Sequence, residues 1–349
     1  MFFLQNARFV VLCYIATRLL SSAHAQRSTA RFLLWRPSAT SNAMGGVGTA
    51  LVHGAFSSYF NPAALAFTKT IGAAGSFTKP LPFFGDIGHS YFAASVRAGT
   101  LGTVSGSVNL FWKGVQVVTG ENDPTPLGGI DESDWQAKLS FARPFNAKAA
   151  WGITANLLRM NLYDEETITF LRSPGASTSF AIDIGIFFQS LLPQATYAAT
   201  GLKVDGVLAQ ITEAQTVSGI SIGLVLLNLG PQISFIDAAQ SDPLPSTLNV
   251  GFAYWPIGAD ALQMLLAVDF EKQFYESSFV DHVYWGGEVR VLRLFAGRAG
   301  YVLDTEGAKN SYFTWGGGLR FKFFSASVAR YTRALLPSWH FDGTFAVEF

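Results

Sequence analysis

Gly219-Ile220-Ser221-Ile222-Gly223 spells the G-x-S-x-G pattern of a nucleophile elbow, and Asp269 and His340 follow it in the chain order of a hydrolase triad. That elbow needs a strand, a tight turn and then a helix. Here apolar residues continue through Leu224, Val225, Leu226 and Leu227, which leaves Ser221 in the middle of a strand. Gly46-Val47-Gly48-Thr49-Ala50-Leu51 begins like a dinucleotide fingerprint, but it lacks the third small residue and a preceding strand. His53, His89, His282 and His340 show no zinc-ligand spacing. Asp131, Glu132 and Asp134, and likewise Asp164, Glu165 and Glu166, lack the spaced oxygens of a calcium loop and read as solvated loop charge. The only cysteine, Cys13, lies in a leader segment, so disulfides, thiolate metal sites and thiol catalysis are not expected. The residues therefore predict a non-enzymatic protein with no metal and no cofactor.

What these residues sit on is more informative than the residues themselves. Charged side chains make up 14% of the 349 residues, against roughly 25% in an ordinary soluble domain. Hydrophobic residues reach 49%, with 31 phenylalanines, and the formal net charge is zero. So apolar a chain collapses rather than staying disordered. With no basic excess, nucleic acid is excluded as a partner. Residues 1–25 read as a cleaved export signal: Arg8, an apolar core from Phe9 to Ala16, and an A-x-A site at Ala23-His24-Ala25. Loss of Arg8 and Arg18 with it leaves 22 basic and 24 acidic residues, a net charge of −2.

No later stretch is long and apolar enough for a helical span. Period-two alternation runs through it instead. Val104, Val108 and Trp112 alternate with Ser105, Ser107 and Asn109; Phe180, Ile182, Ile184 and Ile186 alternate with Ala181, Asp183 and Gly185. One face suits lipid and the other a lumen, where Asp183, Asp269, Glu271, Glu288 and Arg290 would point. The predicted fold is all-β: a transmembrane antiparallel barrel of about fourteen strands, since backbone groups in hydrocarbon must be paired all round. Its strands are expected near 69–79, 88–98, 101–113, 134–143, 148–161, 164–172, 177–188, 217–228, 246–256, 261–273, 281–291, 295–304, 311–323 and 339–349. Residues 325–334 add one more or extend a neighbour. Trp112, Trp135, Trp151, Trp255, Trp285 and Trp315 fall near strand ends, where interfacial girdles place such rings.

Residues 26–68 form a hatch segment in this reading, residues 69–349 the barrel, and 188–217 a long loop or insertion, extracellular or plugging. The hatch carries Met44-Gly45-Gly46-Val47-Gly48 and Asn61-Pro62-Ala63, and Pro62 suits a sharp bend or a helix start. Gly230-Pro231 ends a strand at a turn.

Several stretches resemble the PorV/PorQ family of outer-membrane proteins, itself related to FadL-type fatty acid transporters. The glycine-rich hatch stretch (Gly45, Gly46, Gly48), the Asn61-Pro62-Ala63 motif, Phe180 to Gly185, Asn228-Leu229-Gly230-Pro231 and Asp242-Pro243-Leu244-Pro245 carry the likeness. The terminal aromatic Phe349 resembles the signal read by the barrel assembly machinery. The resemblance implies an outer-membrane location, contact with outer-membrane lipid, and a part in type IX secretion with cargo signal domains and the translocon as partners. The alternative is a FadL-like passive channel for a hydrophobic small molecule. Its distinguishing feature would be an apolar pocket beside Asn61–Ala63 with an opening through the wall. Residues 188–217 have no counterpart in the family pattern.

Overall fold

In a computed structural model, residues 28–68, 71–80, 86–119, 125–161, 176–191, 219–235, 241–258, 261–276, 278–305, 310–332 and 338–347 are described. The alternation closes into a wall. Seven strands come first: β1 (Ile71–Thr78), β2 (Ile87–Arg97), β3 (Thr103–Thr119), β4 (Pro126–Pro144), β5 (Ala149–Asn161), β6 (Ala176–Phe188) and β7 (Gly219–Leu229). A short pair, β8 (Ile233–Ser234) and β9 (Ser241–Asp242), follows outside the wall. Seven more complete it: β10 (Thr247–Gly258), β11 (Leu262–Gln273), β12 (His282–Val291), β13 (Phe295–Asp304), β14 (Tyr312–Phe321), β15 (Phe324–Tyr331) and β16 (Trp339–Val347). Each pairs antiparallel with its neighbours, and β1 pairs with β16, from Ile71 opposite Val347 to Thr78 opposite His340. Fourteen strands form a closed barrel, which leaves no free edge. Among the described residues no helix is long and apolar enough to cross a membrane.

The outer face is apolar: Phe92, Leu139, Phe180, Ile184, Phe313 and Phe324 are all exposed. The inner face is polar: Ser105, Asn109, Ser140, Asp183 and Asp269 are all buried. Exposed Trp112, Trp285, Trp315 and Trp339 lie toward one rim, and Phe145, Phe295, Phe321 and Phe324 toward the other.

The fourteen strands are not quite the expected fourteen. β5 pairs directly with β6, from Ala149 opposite Phe188 to Asn161 opposite Ala176, so no strand at 164–172 stands between them. Residues 162–175 themselves lie outside the described residues. The missing place is taken by β15, a strand of its own. This changes which mouth each connection occupies. Turns 98–102, 145–148, 292–294 and 322–323 are short and share one end of the barrel. Gln189 N donates to Lys148 O at 2.8 Å, so the 188–217 connection leaves from beside the 145–148 turn. One strand fewer upstream than expected reverses the parity, so β6 ends at the short-turn mouth. Residues 192–218 lie outside the described residues, as do the leader and Phe349.

Candidate functional site

Residues 28–68 lie inside the barrel as short helical turns: Arg31–Leu34, Ala39–Ala43, Gly54–Phe56, Ser57–Phe60 and Pro62–Phe67. They sit on backbone as much as on side chains. A Cβ at Gly152 would fall 2.5 Å from Ala63 N, one at Gly223 2.0 Å from Thr49 O, and one at Gly300 2.2 Å from Gly45 N. Gly185 and Gly286 are similarly closed by residues of this inner segment, and Gly251 and Gly316 by the inner segment together with the wall residues Asp269 and Val328. Seven strands thus each give up one side chain so that the segment can touch the wall.

The Asn61-Pro62-Ala63 motif is both a cap and a fastener. Asn61 Oδ1 accepts from Ala63 N at 3.1 Å, and Pro62 opens the turn that follows. The side-chain amide of Asn61 donates to Thr49 O and to Ile186 O on β6, both at 3.1 Å. Gly45 and Gly46 both lie in the left-handed region, with φ of 74° and 94°, and Gly45 N donates to Thr314 Oγ1 on β14. Gly48 packs so tightly on the Phe60 ring that a Cβ would lie 2.2 Å from it.

Asn228, Gly230 and Pro231 make a wedge at the other mouth. Asn228 has φ of 57°, its N donates to Asp183 Oδ1 at 2.7 Å, and its amide donates to Pro245 O. A Cβ on Gly230 would fall 2.2 Å from Phe180 O. The chain can then turn inward, so Leu244 packs with Phe32, Leu33, Leu158 and Ile233.

Charge beside the inner segment is largely paired. Arg36 meets Glu271 at 3.0 Å and Asp269 at 3.8 Å, and its guanidinium lies 3.8 Å from the Tyr284 ring centre. Asp269 also accepts from Gly48 N and Thr49 N, which ties the inner segment to β11. Lys138 and Asp183 pair at 2.9 Å. His53, on the inner segment, keeps its proton affinity low, with a pKa near 4, because burial disfavours its charged form.

Between the inner segment and the wall lies a cavity of about 200 Å³. Leu34, Trp35, Arg36, Gly45 and Gly46 line it from the segment, and Tyr284, Tyr312, Tyr331 and His340 from four strands. Thr78, Pro80 and Ser338 place it toward the mouth with the longer connections. Its polar groups are already engaged. Arg36 is ion-paired, and His340 meets Asn42 Nδ2 at 3.1 Å and Ser338 Oγ at 3.0 Å. Aromatic rings of Trp35 and three tyrosines make up much of the rest of the lining, beside Thr78 and Ser338.

The hydrolase constellation is not assembled. Ser221 is buried on the inner face of β7 and its Oγ has no hydrogen-bond partner; Asp269 and His340 hold the inner segment instead. Asp134 is paired with Lys113 at 2.7 Å, residues 164–166 lie outside the described residues, and no metal-holding cluster exists among the described residues. The channel reading expected its pocket beside Asn61–Ala63, but those residues are fully buried against Gly152 and Gly185. The cavity opens beside Leu34–Arg36 and Gly45–Gly46 instead. Its lining tyrosines went unnoticed because each stands alone on its strand. Inward aromatics alone would not have marked it, since Tyr91 and Phe187 also point inward from other strands.

No family model and no curated relative matches the chain. Solved structures do. The Pseudomonas putida toluene transporter TodX is similar over 88% of this chain and 97% of its own, at 11% identity and a TM-score of 0.52. The monoaromatic hydrocarbon channel CymD is similar over 90% and 98%, at 12% identity and a TM-score of 0.51. At such identities the likeness shows a shared fold: a closed β-barrel like those of these two proteins.

Proposed function

We propose that this chain is a non-enzymatic outer-membrane barrel that passes small hydrophobic molecules, the FadL-like of the two readings. The observation that carries the reading is the aromatic cavity of about 200 Å³ between inner segment and wall, with every neighbouring charge neutralised. A closed barrel with an apolar outer face suits lipid. A flat, uncharged molecule would leave water for Trp35, Tyr284, Tyr312 and Tyr331 without breaking an ion pair. That a toluene transporter and a monoaromatic hydrocarbon channel have the same fold supports this reading. The decisive experiment compares uptake of labelled toluene and of a labelled long-chain fatty acid in cells with and without the gene. Equal uptake of both in the two strains would overturn the reading.

The type IX secretion role implied by the PorV/PorQ resemblance stands as the finer alternative. No feature of the cavity or of the inner segment favours it. Loss of secreted proteins that carry type IX signal domains, with hydrocarbon uptake unchanged, would reinstate it.

A further inference from the structure

Three consecutive strands send an arginine into the lumen at the short-turn end: Arg290 from β12, Arg298 from β13 and Arg320 from β14. They border a second cavity, of about 40 Å³, closed by Ser325 and Ser327 from β15 and by Thr40 of the inner segment. Only one carboxylate is ion-paired with them among the described residues. Glu288 gives one oxygen to Arg290 at 2.6 Å and the other to Arg298 at 2.7 Å. Arg320 has no ion-pair partner among the described residues. Asp342 is committed elsewhere, accepting from Ser38 Oγ and Thr40 N.

We propose that this cavity is a binding site for a small oxyanion, a carboxylate or a phosphate. Each guanidinium carries five donors in a planar fork, and Glu288 draws on only a few of the fifteen or so available. Arg298 Nη1 has one further weak partner, Ser327 Oγ at 3.4 Å. Gly318 keeps the space open, since a Cβ there would sit 2.7 Å from Arg298 Nη1. The cavity holds a few waters or one compact oxyanion. A guanidinium left without a counter-charge in a confined lumen is costly, and the anion supplies what the wall omits. The site stands at the opposite mouth from the aromatic cavity and does not depend on the channel reading.

The test is calorimetric titration of the full chain, folded in detergent at low salt, with inorganic phosphate and separately with acetate. Saturable binding of either anion is expected, and the stronger of the two names the source. Arg320→Lys should keep binding, whereas Arg320→Gln should weaken it at least about tenfold, the scale of one charge-assisted bond. Arg143→Gln, at an exposed position near the end of β4, should change nothing. Ser325→Asp places a carboxylate in the cavity and should abolish binding, and it decides the matter should Arg320→Gln fail to fold. Absence of saturable binding to both anions, or Ser325→Asp titrating like the wild type, would overturn the proposal.

Discussion

Asn61 donates its side-chain amide to the main-chain carbonyl of Ile186, 3.1 Å away, and so joins the inner segment to the sixth wall strand. The approach depends on Gly185, where a Cβ would fall 2.2 Å from Asn61 Oδ1. Gly185→Ala should therefore destabilise the folded barrel by about 1–3 kcal/mol, the usual cost of overpacking. Made in an Asn61→Ala background, the same change should cost clearly less, because the opposing atom is gone. Thermal unfolding of the four proteins in detergent, followed by tryptophan fluorescence, closes the cycle; strict additivity would refute the contact.

Arg36 neutralises two carboxylates that the wall has buried. Arg36→Met should cost about 3–5 kcal/mol, the penalty for stranding a buried charge. Arg36→Met combined with Asp269→Asn and Glu271→Gln should recover part of that loss. Denaturant midpoints would show it.

The cavity predicts a size dependence. Tyr312→Trp narrows the space and should slow toluene uptake, while Tyr331→Ala widens it and should admit bulkier aromatics. Competition assays with a graded series of alkylbenzenes would measure the shift. An unchanged size profile in both variants would count against passage through this cavity.

His53 gives a pH signature. Its folded pKa lies near 4, below the ordinary value of about 6.5, so the unfolded chain binds the proton first as pH falls. Its contribution is complete above about pH 6.5 and is lost as pH drops toward 4, at roughly 1–3 kcal/mol across the window. His53→Gln should flatten that part of the stability profile, read from melting temperatures between pH 7 and pH 4.5.

Ser221 offers a control. Its hydroxyl is buried without a partner, so Ser221→Ala should leave stability unchanged or raise it by about 1 kcal/mol. Any ester hydrolysis by the preparation should persist in that variant. Loss of hydrolysis would revive the elbow.

The barrel was legible because lipid and lumen impose opposite demands on alternate residues, and stretches such as Phe180–Ile186 alternate accordingly, with Phe187 the inward exception beneath Phe67. The error in strand bookkeeping had a local cause. Phe321-Lys322-Phe323-Phe324 turns at Lys322, whose φ is 46°, with no Gly, Pro or Asn to mark it. The strand Tyr312–Phe321 therefore read as continuing through the turn. The motif residues Asn61, Pro62 and Gly230 stood out because backbone geometry restricts what can occupy such positions. The cavity did not, because Trp35, Tyr284, Tyr312, Tyr331 and His340 come from five separate elements, and only closure of the wall brings them together.

The glycine seats carry a consequence for biogenesis. The segment that rests on them is made first, yet its anchors arrive last: Ser38 bonds Asp342, 304 residues further along the chain. Ala39–Ala43 packs on β13 through β16, the final four strands synthesised. Ordering such distant contacts demands a large entropy loss before any of them is rewarded, which makes folding slow. Bare backbone patches at Gly152, Gly223, Gly286 and Gly300 face the inner segment, so wall and segment complete each other's packing. The turn Ala39–Ala43 therefore becomes ordered late, and a chain truncated before β13 would leave that turn without its seat while the contacts of Asn61–Ala63 on β5 and β6 could still form.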